Sequence, residues 1–230
     1  MTIPDNKFDN LANQLILEEY SMVEKSLFSS IYYEKNKINL LDGDIVECGV
    51  YKGGMSLFLT KLFSDKKIWL VDSYDEGFQD IHNDALYKTD KIDDPHKKGY
   101  PIRNGQTGIS LEQVKKFFND FEEGSNPNVN YLKGYVKDVL NPQICPIDKI
   151  SLLRIDVDAY SATREVLEFL YPKVVSGGMI IFDDANIDSA RIAIEEFFQK
   201  QNITLNTYPA EHPGELRHGL TSAGCYLFKK

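Results

Sequence analysis

An open α/β fold built on a mostly parallel sheet is predicted by three observations. Apolar strand-like runs alternate with helical patterns along the chain, and that alternation requires a parallel sheet. The first strand meets its helix through a glycine-bearing turn, Gly49 to Gly54. Two later apolar runs each end in a pair of acids: residues 150–155 lead into Asp156-Val157-Asp158, and residues 179–182 lead into Asp183-Asp184. Strand ends are where such a sheet holds its crevice.

Residues 11–35 carry Leu15, Val23, Leu27 and Ile31 at near-helical spacing, which predicts one amphipathic helix. It forms the bulk of a helical N-terminal region over residues 8–40. Asp42-Gly43 turns the chain into a first strand, Ile45–Val50. After Gly53-Gly54 comes a helix bearing Leu57, Phe58, Leu59, Leu62 and Phe63, then a buried strand from Lys67 to Asp72 with Trp69 in the core. Residues 76–107 are polar, rich in Asp, Lys and Gly, and lack periodicity. So long a loop in a compact domain reads as a lid-like insertion, with a disordered surface segment as the alternative. A helix from Ser110 and a strand over residues 129–134 follow. The two acid-ended strands then flank a helix containing Val166, Leu167 and Leu170, and another helix spans residues 189–200. Residues 204–208 and 225–228 are predicted to form an antiparallel pair closing the sheet, with helices on both faces.

The length of 230 residues suits one domain with a substantial core. A formal charge of -9 argues against nucleic-acid and anionic-membrane partners. Cys48, Cys145 and Cys225 are few and odd in number, which suggests a reducing compartment. No apolar run is long enough to span a bilayer and the first residues do not read as a signal peptide, so a soluble, cytoplasmic protein is expected.

Four carboxylates converging at strand ends repel one another unless a cation or a proton sits among them. A divalent metal site is the leading explanation, and individually solvated strand-end acids are the alternative. The turn Glu47-Cys48-Gly49-Val50-Tyr51-Lys52-Gly53-Gly54 lets a backbone approach a ligand closely, although tight turns also use glycine for steric reasons. Asp72 closes the next strand about twenty residues later, where an acid accepts hydrogen bonds from ribose hydroxyls. An acidic turn beginning at Glu47 suits a cationic or zwitterionic nucleoside such as S-adenosylmethionine better than a dinucleotide. His212 and His218 read as exposed loop histidines, with acceptor-site acids or bases as the alternative, Arg103 as an anion holder or a solvated charge, and Tyr160 as an acceptor-orienting or packing residue.

These motifs resemble those of the macrocin O-methyltransferase family, whose members methylate sugar hydroxyls on antibiotics. The resemblance rests on residues 47–54, on Val71-Asp72-Ser73-Tyr74-Asp75-Glu76-Gly77, and on Leu132-Lys133-Gly134-Tyr135-Val136-Lys137-Asp138. It continues through residues 153–163, Leu170-Tyr171-Pro172-Lys173, Ser176-Gly177-Gly178 and Asp183-Asp184. It implies a Rossmann-like class I methyltransferase fold, S-adenosylmethionine as cofactor, and a Mg2+ ion held by Asp156, Asp183 and Asp184. It puts the general base at Asp158, and the cofactor at Glu47, Gly49, Tyr51, Ser56, Asp72, Ser73 and Asp156, with Gly134 and Tyr135 near the adenine. A small-molecule acceptor and a homodimer are implied as well. Val157 stands where the family usually has glycine, the 76–107 loop is longer than expected, and the tail around residues 211–218 matches nothing in the pattern.

The chemistry fits those residue types. Methyl transfer from a sulfonium is an in-line displacement that needs alignment and a competent nucleophile. A hard cation lowers the pKa of a hydroxyl, and a nearby carboxylate takes its proton. If the strand stays extended through Asp158, Asp156 and Asp158 point to the same side. A phenol methyltransferase of the catechol type places lysine just after its first metal acid, where this chain has Val157, Asp158 and Ala159. A haloacid dehalogenase-type phosphatase opens its fold with the Asp-x-Asp strand, whereas several strands precede it here. A non-catalytic cofactor-binding subunit has no need of the four acids.

Overall fold

The computed structural model describes residues 3–74, 107–122, 127–220 and 224–230. Its elements run α1 (Asn6–Leu17), α2 (Lys25–Asn39), β1 (Asp44–Cys48), α3 (Gly54–Leu62), β2 (Ile68–Asp72), α4 (Leu111–Glu122), β3 (Val129–Lys133), α5 (Val136–Val139) and β4 (Ile150–Ile155). They continue with α6 (Tyr160–Leu170), β5 (Val174–Phe182), α7 (Asp188–Lys200), β6 (Asn206–Pro209), β7 (Arg217–His218) and β8 (Cys225–Phe228). Among the described residues the strands form one sheet in the order β3-β2-β1-β4-β5-β8-β6-β7. The first five are parallel, and β8 joins β5 antiparallel. β6 pairs with β8 as the predicted C-terminal antiparallel pair, and the short β7 extends it.

The chain steps outward from β1 to β2 and β3, then returns to place β4 on the other side of β1. The crevice of such a sheet opens above the strand ends at that reversal. Alternation along each strand divides the core in two. Ile45, Leu70, Leu152, Met179 and Ile181 face α1–α4, while Val46, Val71, Leu153, Ile155, Ile180 and Phe182 face α6 and α7. Trp69 is core as expected, and its indole Nε1 donates to Asp44 at 2.7 Å.

The single helix expected over residues 11–35 is two helices. α1 ends at Leu17, Glu19 adopts φ 58°, and the chain crosses residues 18–24 before α2 begins. The break has a tertiary use: the Gly54 amide, in the first turn of α3, donates to the Tyr20 carbonyl at 3.1 Å. A Cβ on Gly54 would lie 2.6 Å from that oxygen. Tyr20 also stacks on Phe117 of α4, with centroids 4.2 Å apart. Long-range contacts of this kind outweigh a helical period that continues in the sequence. The expected lid-like insertion, Arg103 included, lies outside the described residues apart from Thr107.

Candidate active site at the ends of four strands

The β1–α3 turn is strained where it is closest to its neighbours. Gly49 has φ 90°, and a Cβ there would lie 1.6 Å from the Asp156 carbonyl oxygen. Glycine is therefore required for β1 to end against β4, and the turn is locked to the acid-bearing strand. Tyr51 follows in the left-handed region at φ 51°.

Asp72, at the end of β2, holds the turn in place. Its carboxylate accepts from the Val50 amide at 2.6 Å, the Tyr51 amide at 3.3 Å and the Tyr74 amide at 2.6 Å. Burial raises its pKa, and these amides with the Ser73 side chain oppose the rise. The Gly134 amide, just past β3, donates to the Asp72 carbonyl at 2.9 Å, and Tyr135 is half-buried beside it. The structure thus gathers Gly49, Tyr51, Asp72, Ser73, Gly134 and Tyr135 around adjacent strand ends.

Glu47 and Ser56 lie deeper. Glu47 is fully buried; one carboxylate oxygen accepts from Arg154 at 2.7 Å and the other accepts from the Ser56 hydroxyl. Burial pushes its pKa up to about 7, with Arg154 and Ser56 pulling the other way. As seen here, Glu47 and Ser56 point into the protein rather than into the crevice.

Arg154 is the residue that sequence reasoning missed. It is 1% exposed one residue before the end of β4, in register with Glu47 on one side and Ile181 on the other. Its second terminal nitrogen meets Asp156 at 2.5 Å and Asp183 at 3.2 Å. A charge inside a strand buried on both faces was the available signal, because such a position is ordinarily apolar. The converging acids thus already have a cation supplied by the chain, which the charge argument from sequence did not consider.

At the ends of β4 and β5, Asp156, Asp183 and Asp184 each offer a carboxylate oxygen, and these lie within 4.8 Å of one another. Their neighbours leave them partly accessible: the Asp156 and Asp183 side chains are 25% and 18% exposed, against 2% for Arg154. Burial, then Asp183 and Asp184, raises Asp156 well above the usual carboxylate range against the pull of Arg154. Asp184 is raised by burial, Asp158 and Asp183.

Asp158 departs from the extended geometry expected of it. β4 stops at Ile155, the Ala159 amide donates to the Val157 carbonyl, and Asp158 turns to φ 53° on the way into α6. Its amide donates to Asp184 at 3.1 Å, and its carbonyl accepts from the Ser189 hydroxyl at 2.6 Å, so both flanking elements hold the turn. The turn, rather than strand alternation, brings its carboxyl beside Asp184. Burial and Asp156 push its pKa up to about 7, while hydrogen bonding to Asp184 lowers it. Tyr160 donates its hydroxyl to Glu196 at 2.5 Å, and His212 and His218 are exposed.

Fold and strand-end constellation together define a Rossmann-like class I methyltransferase architecture. By structure the chain is similar to the O-methyltransferase NovP, with TM-score 0.72 and 26% identity over 91% of this chain and 82% of that one. It shares the fold of a Bacillus cereus O-methyltransferase in complex with SAH, with TM-score 0.54 and 12% identity over 98% and 91% of the two chains. By sequence it is 32% identical over 171 residues to demethyldecarbamoylnovobiocin O-methyltransferase of Streptomyces niveus, covering 72% of this chain and 62% of that one. It is 30% identical over 167 residues to 8-demethyl-8-(2,3-dimethoxy-alpha-L-rhamnosyl)-tetracenomycin-C 4'-O-methyltransferase of Streptomyces olivaceus, covering 70% and 60%. The chain therefore spans about three fifths of the length of these curated relatives. The model of the macrocin O-methyltransferase (TylF) family matches residues 18–210, and the chain belongs to that family. Among the described residues, no helix is long and apolar enough to cross a membrane.

Proposed function

We propose that the protein transfers a methyl group from S-adenosylmethionine to a hydroxyl of a small molecule, a sugar or a glycosylated natural product, with the help of Mg2+. The observation that carries this reading is the placement of Asp158 beside a three-carboxylate cluster, one strand away from a glycine turn closed by Asp72. The relatives named for O-methylation of an antibiotic, one of them at a rhamnosyl-bearing compound, support the same class.

The donor set fits the metal. Three hard oxygens at this spacing suit a small divalent cation, which relieves the burial and mutual repulsion that raise Asp156 and Asp184. Asp156, Asp183 and Asp184 would hold it, and when bound it supplies Lewis-acid polarisation of the acceptor oxygen. The cofactor end fits a ribose-bearing ligand. Asp72 is half-buried at a strand end, where the Val50, Tyr51 and Tyr74 amides hold its carboxylate at the mouth of the turn. When bound, the cofactor supplies the electrophilic methyl.

The chain's own residues do the rest. The Gly49 turn fixes the distance between the two ends of the crevice, so alignment is set before substrate arrives. Asp158 accepts the acceptor's proton at its carboxylate, and a pKa near 7 matches that task at neutral pH. Ser189 and Asp184 hold the Asp158 backbone while it does so. A homodimer is part of the proposal by family likeness, and light scattering of the full chain tests it.

Isothermal titration with S-adenosylmethionine and S-adenosylhomocysteine, with and without Mg2+, tests the class. Binding followed by methylation of hydroxylated sugars or glycosides supports the reading. Absence of binding by either ligand sinks it, and methylation confined to catechols reassigns the acceptor to phenols.

A further inference from the structure

We propose that Arg154 is a positioning residue that couples β1, the strand that carries the glycine turn, to the metal end of the crevice. The inference rests on the methyltransferase reading above and assigns a role to a side chain outside it. One guanidinium nitrogen is 2.7 Å from Glu47 in β1, and the other is 2.5 Å from Asp156 and 3.2 Å from Asp183, beyond β4 and β5. The guanidinium is planar and rigid, so the three carboxylates are held in one fixed relation.

Stability alone does not account for this placement. Burying an arginine costs several kcal/mol of desolvation, and apolar residues of similar volume in place of the whole buried ion cluster often serve a fold as well or better. The site is also incompletely satisfied: the Arg154 Nε–H has no hydrogen-bond partner among the described residues. The terminal nitrogens are nevertheless committed to one acid in β1 and to the acids just past the ends of β4 and β5, at the point where the two halves of the sheet meet. One oxygen of Asp156 and one of Asp183 face the guanidinium, which leaves each a single oxygen free of it.

This wiring has a directional consequence. Glu47 and the two aspartates share one positive charge. Removing the charge of Glu47 releases the guanidinium field toward Asp156 and Asp183, and their hold on a cation weakens. The effect passes through Arg154 and requires its fork. A lysine keeps the charge but presents one ammonium that cannot span the three carboxylates in the same way.

The test measures Mn2+ affinity calorimetrically on the full, metal-stripped chain as wild type, Glu47→Gln, Arg154→Lys and the double variant. Glu47→Gln is expected to weaken Mn2+ binding by about fivefold or more, and by less than about twofold when Arg154 is lysine. An unchanged affinity in Glu47→Gln, or an equal loss in both backgrounds, overturns the proposal. Should Arg154→Lys fail to fold, Mn2+ affinity with and without S-adenosylhomocysteine is compared in wild type and Glu47→Gln. Loss of the S-adenosylhomocysteine effect in the variant supports the coupling, and its persistence overturns it. A wild-type chain that binds Mn2+ but not S-adenosylhomocysteine sinks the methyltransferase reading and leaves the four-variant Mn2+ test in force. A wild-type chain that binds no Mn2+ overturns the proposal.

Discussion

On the β1 side of the crevice, Glu47 is answered by Arg154 and Ser56, so its charge is balanced by the protein itself. On the β4–β5 side, Asp158 and Asp184 face each other with Asp156 and Asp183 close by, and among the described residues the cation paired there, Arg154, reaches Asp156 and Asp183. The first arrangement is closed and holds the sheet together at its reversal. The second is left in deficit, which costs stability in the metal-free chain and leaves room for a cation and an acceptor. The difference shows where this fold spends binding capacity on itself and where it reserves it for ligands.

The largest expected effect lies on the open side. Asp158→Asn should lower turnover by about 10²–10⁴-fold while S-adenosylhomocysteine and Mn2+ still bind. The same change should raise the melting temperature of the metal-free chain, because it removes a repelled charge. Normal turnover in that variant would mean that Asp158 is not the base.

On the closed side the sign reverses. Arg154→Met strands Glu47 without its cation and should cost about 3–5 kcal/mol in urea denaturation. A variant as stable as wild type would show that the pair is not what holds the two strands. Ser56→Ala removes only the hydroxyl donor to Glu47 and should cost about 2 kcal/mol, as expected for a hydrogen bond to a charged group.

The smallest effect is set by pH. Glu47 and Asp158 are raised to about 7 in the folded chain from ordinary values of 4.5 and 3.8. The native state thus binds more protons than the unfolded one between those limits. The stabilisation from these two groups is complete below their ordinary values and is lost as pH rises through about 7. A metal-free melting temperature that falls by several degrees between mildly acidic and mildly alkaline pH is expected. The stabilisation given by added Mg2+ should grow over the same interval, because the ion binds ionised carboxylates. A flat profile in both series would remove the distinction between the two sides.

Much of this could be read from the chain. The β2 and β4 runs, the acid pairs after β4 and β5, the core position of Trp69 and the antiparallel pairing of residues 204–208 with 225–228 follow from patterns only a few residues long. The resemblance carried the family and the fold class. Three features escaped. The break between α1 and α2 is invisible because the apolar period runs on through it, and only the Gly54–Tyr20 contact explains it. Asp158 looked like a continuation of its strand, but the left-handed turn into α6 is held by Asp184 and Ser189, from β5's end and α7. Arg154 looked like one letter of a motif until β1 lay beside β4.

Local patterning alone therefore located the five parallel strands, the helices after β1, β4 and β5, and the strand ends that carry acids, because burial on a face imposes its period on neighbouring residues. The tertiary structure decided which charges meet. Glu47 and Arg154 are 107 residues apart and become neighbours only when β4 returns to pair with β1. That pairing depends on parallel register and on helices covering both faces, which no short window of sequence contains.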